Sequence, residues 1–190
     1  MKQLFVAIGF CLCLSATAYV QAQGEYRVTR TDTAPKIDGV LDDAAWARVT
    51  PMPTGKWKSY NPNRGDDMPE AYRTEVRITY DDRFVYFAFH CFDDEPAKIR
   101  TNIAKRDAAF SDDWIALSLD SAGTGQSAYH LFSNPSASQM DALNTSASGE
   151  QFDADMVWFS GAKTTADGYV VEVQIPCCRR CASPAATRSR

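Results

Sequence analysis

Three groups of side chains in this sequence are of types that can do chemistry together. Carboxylates pair at Asp93-Asp94, followed by Glu95, at Asp112-Asp113, and at Asp153 and Asp155. As hard oxygen donors at strand ends they suit a structural calcium ion, with Asp112, Asp113, Asp93 and Asp94 as ligand candidates. No EF-hand spacing occurs, and Asp beside a strand also simply makes turns. The second group is aromatic: Trp57, Tyr60, Phe110 and Trp158. Flat rings stack on the C–H faces of pyranose sugars, provided that a few polar groups catch the hydroxyls. Arg77 and Asn134 are the polar candidates. In the third group Arg77, Glu75, His130 and Asp141 could share one sheet face, the plainer reading being solvated cross-strand charge pairs.

Catalysis has less to build on. The chain holds no Gly-x-Ser-x-Gly elbow, His-Glu-x-x-His helix or phosphate-cradling Gly loop. A glycosidase needs two carboxylates at a set separation across a cleft, which spacing in sequence does not reveal. A net charge of −4 without a basic run argues against nucleic acid or an anionic membrane surface as partner.

The elements that must position these groups are strands. With 190 residues, 45% of them hydrophobic, one sizeable core is expected. Met1-Lys2-Gln3 and the apolar run Leu4 to Leu14 read as a signal peptide over residues 1–22, cleaved after Ala22 or, second, after Ala18. Export to the periplasm, the outer-membrane surface or the medium follows, and Cys11 and Cys13 leave with the peptide. Cys91 remains in a strand, with Cys177, Cys178 and Cys181 at the end. Export permits a disulfide, whereas a Cys-Cys-x-x-Cys zinc site lacks a fourth ligand nearby.

Beyond residue 22 the hydrophobic period is two almost throughout. Strands are expected from Tyr26, over Thr74 to Tyr80, Phe84 to Phe92, Trp114 to Asp120, Ala128 to Ser133, Met156 to Ala162 and Tyr169 to Ile175. Phe84 to Phe92 is apolar on both faces, so it belongs in the middle of a covered sheet. The pattern predicts an all-β, two-sheet antiparallel β-sandwich, immunoglobulin- or jelly-roll-like. Pro51 to Met68 reads as a long surface loop. At the N-terminal end, Asp38-Gly39 predicts a turn with Gly at positive φ, and Asp42 a cap for a helical turn that buries Trp46.

The string from Ile37 to Trp46, "IDGVLDDAAW", closely resembles the opening of domains similar to carbohydrate-binding module family 9. Further motifs follow in that family's order: Thr74-Glu75-Val76-Arg77, Tyr80-Asp81-Asp82, Phe84 to Phe87, Lys105-Arg106-Asp107, Ser111 to Trp114, Leu119-Asp120, Asn134-Pro135, Gln139-Met140-Asp141 and Gly168 to Pro176. The likeness is nearest to the subgroup that fronts long bacterial surface proteins with a β-rich, outer-membrane-type region. It implies a non-catalytic module over residues 23–176 that binds an oligosaccharide or polysaccharide, linked to xylan-type catabolism.

By the same resemblance Phe110 stands where sugar-binding members carry a stacking aromatic; the competing reading is that it covers the sandwich edge. The family's sugar-contacting Glu and Arg positions fall on Ala116 and Phe132, neither of which can catch a hydroxyl. A second stacking Trp lies beyond Pro176 in those members. There the pattern breaks: residues 177–190 read as an irregular tail, and a shifted reading frame through Cys178 to Pro184 can spell the family's Leu-Arg-Phe-Pro. A truncated sandwich missing its last strands is therefore expected. Two alternatives accompany the sugar-binding reading: an interaction domain serving a missing β-rich membrane region, and a hydrolase of glycosidic bonds, an activity found in xylanases that contain such domains.

Overall fold

A computed structural model describes residues 26–59 and 64–177. The segment expected to be a signal peptide, residues 1–22, lies outside the described residues, as do Tyr60, Cys178 and Cys181. In chain order the elements are β1 (Thr29–Arg30), the one-turn helix α1 (Ala44–Ala47), β2 (Thr74–Tyr80), β3 (Phe84–Phe92), β4 (Ile115–Leu119), β5 (Ser127–Ser133), β6 (Gln139–Thr145), β7 (Gly149–Gln151), β8 (Phe159–Thr165) and β9 (Gly168–Pro176), with 3₁₀ turns at Glu70–Tyr72 and Pro96–Lys98. Two sheets form a β-sandwich, one of order β1-β2-β3-β9-β8 and one of order β4-β5-β6-β7.

Every strand pair is antiparallel except β1 with β2, which run parallel. A parallel neighbour needs a long connection, supplied here by the segment that crosses the sheet through α1. The first strand starts later than Tyr26, whose hydroxyl instead donates to the Thr50 carbonyl at 2.8 Å. β8 likewise starts at Phe159 rather than Met156, because the Met156 N–H is drawn out of the ladder to Asp141 Oδ2 at 2.6 Å. β6 and β7 were not evident from periodicity, since β6 carries the polar Asp141 and Asn144 among its apolar residues.

β3 occupies the middle of the larger sheet, as its two apolar faces require. Phe87, Phe89 and Cys91 point between the sheets and meet Val76, Ile115, Leu131, Val171, Val173 and Trp158. Burial pushes the Cys91 thiol up from its ordinary pKa. Tyr86 and Ala88, on the other face, lie under Trp46, with Ile37, Leu41 and Phe84 around them. Fully burying residues of this size stabilises by about 1.5–3 kcal/mol each.

What fastens the Trp46 segment is a carboxylate. Glu172 on β9 is 0% exposed. Its Oε1 accepts the Trp46 indole N–H at 2.7 Å, and its Oε2 accepts the backbone N–H groups of Asp38 (2.9 Å) and Gly39 (2.7 Å). Burial raises its pKa, opposed by those three donors. Gly39 has φ +80°, and a Cβ there would lie 2.5 Å from the Ala162 carbonyl carbon, so only glycine lets the turn sit against β8. The helix cap differs from expectation: Asp43, not Asp42, is the N-cap residue and makes no side-chain capping bond. Its carboxylate accepts the Lys36 N–H instead.

Candidate functional site

On the four-stranded sheet the pleat sends Ile115, Leu117 and Leu131 into the core and the alternate residues outward. Register sets Ala116 opposite Phe132 and Phe132 opposite Met140, with Ser118 opposite His130 and His130 opposite Ala142. All of these belong to the outward face. Phe132 is only 7% exposed, because rings from outside the sheet close over it. Phe110, from the turn before β4, meets Phe132 edge-on at 5.3 Å and 77°, and Phe152, just after β7, at 5.2 Å and 79°. Trp114 stands across Phe132 at 5.3 Å and 84°. Such perpendicular contacts suit the ring quadrupoles.

The result is a cleft of about 590 Å³ lined by Asp107, Phe110, Trp114, Phe132, Glu150 and Phe152. Phe110 and Trp114 (each 41% exposed) and Phe152 (39%) keep substantial free surface beside the buried Phe132 floor. At the β7 side His130 Nδ1 lies 2.7 Å from Glu150 Oε1. Register explains this pair too, since Glu150 faces Asn144, one strand beyond Ala142.

Of the expected sugar-binding residues, Phe110 alone reaches this cleft among the described residues. Trp158 is 4% exposed inside the core, so its ring is no surface platform, and its indole N–H has no hydrogen-bond partner among the described residues. Trp57 is drawn inward from its loop: its N–H donates to the Thr74 carbonyl at 2.8 Å and its ring packs on the core. It borders a separate 400 Å³ cleft that also touches Trp114 and Asp113. The loop itself is pinned by a bridge between Lys58 and Asp67.

Asn134 is a structural knot. Fully buried, it donates to the Asn102 carbonyl (2.7 Å) and Asp112 Oδ2 (2.8 Å), and its Oδ1 accepts the N–H groups of Ser136 and Ser138. All four of its hydrogen-bonding positions are used, leaving none for a ligand. Nor do Arg77, Glu75, His130 and Asp141 assemble. Arg77 pairs with Glu75 at 3.0 Å on the five-stranded sheet, His130 with Glu150, and Asp141 with Arg106 at 2.6 Å.

The carboxylates proposed for calcium are occupied by the chain itself. Asp112 accepts from the Asn102 side chain and backbone and from Asn134, and the Asn102 amide above all holds its pKa below the usual carboxylate range. Asp113 accepts the Arg100 N–H, Asp93 caps its own turn at Glu95, and Asp94 bonds Tyr72. The carboxylates that do converge are Asp107, Asp141 and Asp155, within 4.8 Å of one another. There the Arg106 guanidinium pairs with Asp141 and Asp155, so a cation already occupies the cluster.

The residues that sequence reasoning missed are Trp114, Phe152 and Glu150. Trp114 looked like an ordinary strand start, and only the register that puts β7 beside β6 brings Phe152 and Glu150 to the cleft.

The fold has known relatives. A carbohydrate binding module family 9 from Caldicellulosiruptor kristjanssonii, solved in complex with cellotriose, superposes with a TM-score of 0.53 at 16% identity, over 80% of this chain and 67% of that one. A candidate carbohydrate-binding protein from Bacteroides uniformis superposes with a TM-score of 0.56 at 10% identity, over 84% and 75% of the two chains. No curated protein matches the sequence. The sequence profile of the carbohydrate family 9 binding domain-like family matches residues 37–189, from the Asp38-Gly39 turn through β9 and into the tail, and the chain belongs to that family.

Proposed function

We propose that the chain is a non-catalytic carbohydrate-binding module and that the aromatic cleft on the four-stranded sheet is its saccharide site. The observation that carries this is the disposition of Phe110, Trp114 and Phe152 as half-exposed rings around a buried Phe132, with polar groups at the rim. Pyranose rings bind such surfaces through their C–H faces while carboxylates take their hydroxyls. A module of this family held cellotriose in its own structure, so a β-linked oligosaccharide is a first ligand to try. The floor is the apolar Phe132, and its register partner Ala116 offers no polar group beside it, so hydroxyl recognition falls to Glu150, oriented by His130.

Isothermal titration of the mature chain with cellotriose, xylo-oligosaccharides and glucose tests the reading. Heat at millimolar ligand that disappears in Phe110→Ala supports it; no heat with any saccharide overturns it. The leader pattern of residues 1–22 supports export, checked by cell fractionation. The order of the sequence motifs supports a place at the front of a longer surface protein, checked by reading the DNA past the codon for Pro176. Incubation with xylan should release no reducing ends.

A further inference from the structure

We infer that the cleft selects a cationic saccharide, one whose sugar unit carries a free ammonium group, over a neutral sugar. This rests on the cleft being a saccharide site and concerns its lining. Four of the six lining residues are aromatic and the other two, Asp107 and Glu150, are acidic. Among the described residues no lysine or arginine lines it. Arg106, next to Asp107 in the chain, is turned to Asp141, Asp155, the Gln139 side chain and the Met156 carbonyl.

A carboxylate only accepts hydrogen bonds, and an aromatic face presents negative charge without donating. Apart from the Trp114 indole N–H, the lining side chains offer acceptors and no donors. A neutral sugar also brings hydroxyl and ring oxygens that seek donors, and over Phe132 these go unmet. An ammonium group is donor-only. It matches a carboxylate rim, and it is attracted to ring faces within about 6 Å of the centroid. Glu150 is placed for this: Oε1 is held by His130, Oε2 takes no hydrogen bond among the described residues, and the side chain is 44% exposed. Where a cation sits against both a ring and a carboxylate, about tenfold in affinity is the expected scale.

The test is titration of the mature chain with fully deacetylated chitotriose, N-acetylated chitotriose, cellotriose and choline chloride. The deacetylated trimer should bind about tenfold more tightly than the other two trimers. Glu150→Gln should erase that preference, lowering the affinity for the deacetylated trimer about tenfold more than that for cellotriose, with the melting temperature unchanged. Added salt should weaken the deacetylated trimer alone, a readout independent of any variant. Equal or tighter binding of cellotriose overturns the inference and leaves the saccharide site standing. Silence from all three trimers overturns both, as does binding of choline alone. A preference that survives Glu150→Gln and high salt overturns the assignment of the rim charge.

Discussion

The two sheets present outward faces of similar chemistry and opposite fate. On the five-stranded sheet Tyr86 and Ala88 are covered by Trp46, which the chain carries back over the strands and ties to buried Glu172. On the four-stranded sheet Phe132 is buried too, but by rings that themselves stay half exposed. Aromatic content alone does not separate a core from a recognition surface. The difference lies in whether a hydrogen-bonded segment closes over the rings, and Glu172 with its three N–H donors is what closes one of them.

That contrast can be broken most forcefully at Glu172. Glu172→Ala strands three donors, two of them buried, and opens a cavity, and it should lower unfolding free energy by about 4 kcal/mol, read from urea denaturation. Gly39→Ala places a Cβ against β8 at a positive φ, and about 2–3 kcal/mol of destabilisation is expected in the same assay. An unchanged midpoint in either variant would mean that the Trp46 segment is not fastened as described. On the open face the ranking inverts: Phe110→Ala should leave the unfolding free energy within about 1 kcal/mol of wild type while saccharide affinity falls at least about tenfold.

Asp112→Asn gives a smaller loss of stability than Glu172→Ala or Gly39→Ala, and a pH signature. The carboxylate's folded pKa lies below its unfolded value, so its contribution is present at neutral pH and fades as pH falls through the folded pKa. The variant should cost about 1–2 kcal/mol at neutral pH, and the gap to wild type should close in acid. Glu172 has the opposite sign. Its raised pKa makes the carboxyl's contribution largest at low pH and smaller as pH climbs.

Much of the closed face was legible in the sequence. Asp38-Gly39 is a turn because of glycine's backbone, Trp46 is buried because the helical turn that carries it docks on the sheet, and the two apolar faces of β3 demand a central place. The open face was legible only at Phe110. Its partners come from residues 114, 132 and 152, brought together by a register that local periodicity does not encode, and β6 was hidden by Asp141, a buried charge whose partner Arg106 lies far away in sequence. Trp158 failed for a related reason: a tryptophan near a loop looks the same whether a core or a ligand receives it. Asn134 and Asp112 carry side chains suited to a ligand, but their hydrogen bonds are spent on the loop of Asn102.

β9 pairs along its whole length with β3, Phe84 opposite Pro176 and Phe92 opposite Gly168, and it also carries Glu172. During synthesis, then, the most apolar strand waits with one edge and one face uncovered until nearly the last described residues leave the ribosome. The turn and helix at the start of the fold wait for the same strand. Such late, distant closure slows folding and lengthens the exposure of a sticky segment. The domain matures in one concluding step, and a chain interrupted before residue 168 would hold most of its sequence and neither of its locks.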